Sequence, residues 1–168
     1  MPKIIENLQS RLIAETRHQI ETIGYAATTI RSVAAECGVG VGTVYNYFSS
    51  KDELAAAYLL EDWSNCIAAI EAVCEDAEVP LPVVRCIFDQ LRGFSHRHQS
   101  VFRDKEAAAS FTGSFSRYHG VLRSQLAAPL RKFCDSDFAA EYIAESLLTW
   151  TMAGKEFDEQ YGMIGRLF

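Results

Sequence analysis

Residues 28–54 read TTIRSVAAECGVGVGTVYNYFSSKDEL, and the groups they carry suit contact with a duplex better than covalent chemistry. Thr43, Tyr45, Asn46 and Tyr47 bring hydroxyl and amide groups to one short segment. Such groups bond to base edges or phosphate oxygens when a helix enters a major groove. Val41, at the leading end, offers an apolar contact for a thymine methyl, and Gly42 lets backbone approach closely. Lys51 follows as a point charge where the first amides of the next helix would favour the same anion. Thr28 and Arg31, at the opening of the preceding helix, complete the candidate contacts.

The elements that must position these groups are two short helices and a turn. One helix is expected over residues 30–37, with Thr28 or Thr29 as N-cap and Val33 and Ala34 facing inward. Gly38 stands where the chain must stop and reverse, a position that favours positive φ. The second helix is expected over residues 41–48, with Val44 and Phe48 four apart on its apolar face. Together they make a helix-turn-helix.

Thr28, Thr29, Ile30, Val33, Ala34, Gly38, Val39, Gly42, Thr43, Val44, Tyr45, Tyr47, Phe48, Lys51 and Leu54 stand at fixed spacing. In that arrangement the segment resembles the DNA-binding half of the tetracycline-repressor (TetR) family of bacterial transcription regulators. The resemblance covers about residues 10–60. Two positions depart from the family's habit: Gly40 stands where a capping Ser is common, and Ile20 where a Phe precedes the closing Gly24. The resemblance implies that Lys51 binds phosphate, that two copies pair through their last long helices, and that a small-molecule effector binds the helical body.

Composition bounds the remaining possibilities. Of 168 residues, 49% are hydrophobic and 23% charged, as in an ordinary globular chain. No apolar run approaches the roughly 20 residues that a membrane-spanning helix needs. MPKIIENLQSRL does not read as a signal peptide, so a cytoplasmic location and no membrane partner are expected. Net charge is −6, but residues 1–51 carry +1, 52–84 carry −8, 85–132 carry +6 and 133–168 carry −5. The acidity therefore lies outside the helix-turn-helix. Cys37, Cys66, Cys74, Cys86 and Cys134 lack paired spacing and read as free thiols. His96 and His98, two apart on a helix, point to opposite sides, so no metal is expected, and no cofactor either. Nucleophile elbow, phosphate loop and dinucleotide fingerprint are all missing, which argues against an enzyme.

Every periodic segment reads as helix, so the expected class is all-α. Division is expected into a DNA-binding domain of residues 1–49 and an effector-binding and dimerisation domain of residues 50–168. Helices are expected over about 4–23, 50–76, 80–98, 101–110, 114–133, 136–154 and 156–168, with Ser50 and Glu53 forming a capping box. An effector pocket is expected among Tyr58, Trp63, Phe88, Arg92, Phe102, Phe111, Phe115 and His119. Aromatic residues at helical spacing also serve as plain core. The dimer interface is expected at Tyr142, Leu147, Trp150, Phe157 and Tyr161. The function implied is a repressor released from a palindromic operator by a small molecule. The competing reading is a DNA-bound adaptor whose body recruits a protein partner.

Overall fold

The structure, a computed structural model, describes residues 7–168, and of these the side chains of all but 106–118. The described residues form α1 (Leu8–Ile23), α2 (Ile30–Glu36), α3 (Val41–Tyr45), α4 (Lys51–Asp76), α5 (Pro80–Arg97), α6 (Gln99–Arg103), α7 (Lys105–Leu130), α8 (Asp137–Met152) and α9 (Phe157–Ile164). A 3-10 turn at Arg131–Phe133 follows α7, and no strand occurs among the described residues. The class is all-α. Two compact units divide the chain: Met1–Asp62 with Arg97–Thr112, and Trp63–His96 with Gly113–Phe168.

Several boundaries move from their expected places. The expected first turn of α1, residues 4–6, lies outside the described residues. The expected break after Ser110 is absent, since α7 is continuous from Lys105. The second helix of the helix-turn-helix ends at Tyr45, three residues early. Beyond it the amides of Asn46 and Tyr47 reach back only three residues, to the Thr43 and Val44 carbonyls, which tightens the last turn.

In the first unit, Leu8 and Leu12 of α1 meet Ile30, Val33 and Ala34 of α2, Val44 and Phe48 from α3 onward, and Leu54 of α4. A second cluster joins Ile20, Tyr25, Ala55, Tyr58 and Val101. Polar bonds border it. Tyr58 donates to Glu21 at 2.9 Å, and its ring meets the His98 imidazole edge-on at 4.7 Å. His98 Nε2 lies 2.7 Å from Asp62, whose same oxygen takes the Arg97 guanidinium at 3.0 Å.

His98 is fully buried, and that burial holds its imidazole below the ordinary histidine range; Asp62 opposes the shift, Arg97 adds to it and Glu21 opposes it. At Asp62 burial works upward, yet the bonds from His98 and Arg97 leave the carboxyl below its usual range. A histidine depressed on folding takes its proton more readily in the unfolded chain. Its contribution is therefore complete above the unfolded value, near 6.5, and is lost as pH falls below that and through the lower folded value. Thermal melts at pH 7.5 and 5.5 should show a larger fall for the wild type than for His98→Gln, which has no proton to gain. Equal falls would mean that His98 does not titrate in this window.

The second unit packs α5 residues Val83, Val84, Ile87, Phe88 and Leu91 against Leu126 and Leu130 of α7 and Ile143, Leu147 and Leu148 of α8. Lys132 donates to the Cys74 and Ala77 carbonyls at 2.9 and 2.7 Å, a cation placed at the C-terminus of α4 where the helix dipole favours it. Ser136 caps α8 by accepting from the Ala139 amide at 3.1 Å. The start of α9 is held to α5: Arg85 lies over the Phe157 ring at 3.3 Å, and Arg92 pairs with Glu156 at 3.0 Å. All five cysteines carry free thiols. No helix among the described residues is long and apolar enough to cross a membrane.

Candidate nucleic-acid interface

Local chemistry fixes the shape of this surface. Thr29 is the N-cap of α2: its hydroxyl accepts from the Ser32 amide at 3.0 Å, and Ser32 Oγ accepts from the Thr29 amide at 3.1 Å. At the other end of α2, Gly38 adopts φ 67, where a Cβ would strain the backbone. The Val39 amide then closes back onto the Ala34 carbonyl at 2.9 Å. Arg11 of α1 reaches the Cys37 carbonyl at 2.9 Å and caps α2 from outside. Thr28 is buried and its hydroxyl donates to the Gly24 carbonyl at 2.9 Å, so its side chain serves the turn and presents nothing to solvent.

With Val44 and Phe48 inside, α3 and the turn after it present Tyr45, Asn46 and Tyr47 outward. Tyr45 is 53% exposed and Tyr47 37%, values that rule out a core role for either ring. Asn46 and Gly42 are exposed, Val41 and Thr43 half-buried, and Arg31 of α2 is exposed. Gly40 begins α3 with no side-chain bond to its free amides, as the missing Ser implies. Serine there should add a few tenths of a kcal/mol, read as a small rise in melting temperature for Gly40→Ser. An unchanged melt would mean that water satisfies those amides equally well.

Lys51 opens α4, and Ser50 Oγ accepts from the Glu53 amide at 3.1 Å. The Glu53 carboxylate closes the box one residue early, taking the Ser49 amide at 2.6 Å instead of that of Ser50. Those bonds from Ser49 hold the exposed Glu53 carboxyl below its ordinary range. Lys51 Nζ donates to the Tyr25 carbonyl at 3.1 Å and stands 4.0 Å from the centre of the Tyr25 ring. Tyr25 was not among the residues expected at this surface. The one signal was a tyrosine in a turn next to the motif, since a buried tyrosine needs a partner for its hydroxyl.

The residues expected around an effector divide between the two units. Tyr58, buried, and Phe102, half-buried, belong to the first. In the second, Trp63 is buried and donates to Gln125 at 2.8 Å. Phe88 is buried edge-on against Phe157, Arg92 is exposed, and His119 Nε2 lies 3.4 Å from Glu145. Phe111 and Phe115 lie outside the residues with described side chains. Among the described residues no group of three or more His, Cys, Asp or Glu could hold a metal.

Of the residues expected at a dimer interface, Leu147 and Phe157 are core of the second unit, and Tyr161 is half-buried, stacked on Phe157. Tyr142 and Trp150 are 54% and 52% exposed. They line an open groove of about 470 Å³ between α8 and α9, with Met163, Leu167, Lys155 and Glu159 on its other side.

Residues 12–58 match the family model described as "Bacterial regulatory proteins, tetR family". The regulator BetI 2 of Chromohalobacter salexigens is 35% identical over 81 residues, a stretch that covers 45% of this chain and 39% of that protein. A crystal structure of a Streptomyces coelicolor A3(2) transcriptional regulator superimposes with TM-score 0.72 at 17% identity, covering 96% of this chain and 98% of the other. The multidrug binding protein EbrR, crystallised with imidazole, does so with TM-score 0.61 at 19% identity, covering 98% and 96%. The spacing around Gly38, the outward α3 and the family match agree on this stretch: residues 12–58 form a DNA-binding segment of the tetR-family type.

Proposed function

We propose that this chain is a dimeric, sequence-specific DNA-binding transcriptional repressor whose hold on a near-palindromic operator is released by a small molecule. The observation that carries DNA binding is α3 with the tight turn after it, buried through Val44 and Phe48 and leaving Tyr45, Asn46 and Tyr47 outward. A helix held in that way can seat its outer face in a major groove, and Arg31 and Lys51 flank it for the phosphates. Residues 1–49 then act as the reading head and 50–168 as the body. Two copies would place their α3 helices one duplex turn apart, about 34–36 Å. The surface best suited to pair the copies is the exposed apolar row of Tyr142, Trp150 and Met163.

Release by an effector is supported by the fold shared with EbrR, which was crystallised with imidazole. Its logic is a population shift: an effector lowers operator affinity only if it binds better to the state that cannot seat both recognition helices. Selection of bound sequences from random duplex DNA tests the reading. A recovered inverted repeat with half-sites one turn apart supports it; a pool with no enriched sequence refutes it. Small molecules that raise the melting temperature and weaken binding to the recovered duplex would identify the effector.

A further inference from the structure

Tyr25, in the turn between α1 and α2, is 2% exposed, and three of its parts each hold something at the opening of α4. Its carbonyl accepts from Lys51 Nζ at 3.1 Å. Its ring lies 4.0 Å from the same ammonium, within cation–π range. Its hydroxyl donates to Asp52 Oδ1. Lys51 is half-buried, so its long stem is already ordered over the ring. A lysine ammonium has three donors, and one satisfied by the Tyr25 carbonyl leaves two for an incoming oxygen.

We propose that Tyr25 is a positioning residue for duplex binding, acting through Lys51 and Asp52. This rests on the reading that Lys51 meets a backbone phosphate. A flexible lysine loses rotamer freedom when it binds; one fixed beforehand has lost it already. Asp52, adjacent to Lys51, carries the wrong charge for a phosphate site. The Tyr25 hydroxyl engages its carboxylate and so keeps it from competing for the ammonium. A buried tyrosine that merely filled space would couple to neither residue.

The test is a set of salt titrations on the duplex recovered by selection, using wild type, Lys51→Ala, Tyr25→Leu and the double variant. Lys51→Ala should lower the slope of log affinity against log salt by about 0.9 for each phosphate that lysine neutralises. Tyr25→Leu should weaken binding about threefold in the wild type and not at all in the Lys51→Ala background. Equal weakening in both backgrounds overturns the positioning role while leaving the phosphate contact standing. An unchanged slope for Lys51→Ala removes the phosphate contact, and the positioning role with it. Should Tyr25→Leu melt below the assay temperature, Tyr25→Phe carries the test. It keeps ring and carbonyl, so its salt slope should stay that of the wild type while affinity falls about twofold. Added Asp52→Asn should restore that affinity; failure to do so overturns the Asp52 part.

Discussion

Glutamate in place of Gly42 is expected to leave the fold intact and to abolish operator binding. Gly42 is exposed within α3, and a Cβ built there meets no atom within 4 Å. Glycine in a helix interior costs about 0.5–1 kcal/mol relative to alanine, and a carboxylate near a helix N-terminus is favourable. Gly42→Glu should therefore melt at or slightly above the wild-type temperature. Against a duplex the same carboxylate meets phosphates and base-edge acceptors with no donor of its own. The expected loss is on the order of 100-fold, about 3 kcal/mol. Gly42→Ala adds only a methyl group and tests close approach separately. Undiminished binding by Gly42→Glu would move the DNA-reading surface off α3.

The second large effect is expected at Trp150. It is 52% exposed on α8, close to Tyr142 at 54% and Met163 at 72%, an apolar row of the kind that marks a protein interface. Were the copies to pair through this row as proposed, Trp150→Glu would place a charge in the apolar contact. Exposed tryptophans buried at interfaces contribute about 2–4 kcal/mol, enough to separate micromolar dimers. Sedimentation should show monomers, and operator affinity should fall by roughly 100-fold because each monomer reads one half-site. Leu147, core of the second unit, is the contrast: Leu147→Ala should destabilise the protomer by about 2–5 kcal/mol through a cavity. A Trp150→Glu protein that sediments as a dimer would place the interface elsewhere.

The helix-turn-helix was legible in the sequence because its determinants are local. Thr29 and Ser32 cap one another across three residues, Gly38 supplies the positive φ, and Val44 and Phe48 face inward four apart. The same locality explains what was not legible. Lys51 and Tyr25 are 26 residues apart, and Arg11 and Cys37 likewise, pairings that no spacing rule contains. Thr28 and Thr29 are equivalent as cap candidates until the turn forms and buries one of them. Along α8 apolar residues occur on every side, so periodicity could not separate Leu147, which packs inward, from Trp150, which points out. A break was expected between residues 110 and 114, yet α7 runs through it from Lys105 to Leu130. Phe88 and Trp63 show the same ambiguity: as aromatics they fit a pocket or a core, and both are buried among core residues.

If the outward face of α3 reads a major groove, methylation interference on the selected duplex should find it there. Methyl groups on guanine N7 lie in the major groove and block a helix seated there. Two clusters of interfering guanines, centred about 10 base pairs apart, are the result this account requires. Interference confined to minor-groove positions, or scattered without two centres, would contradict it.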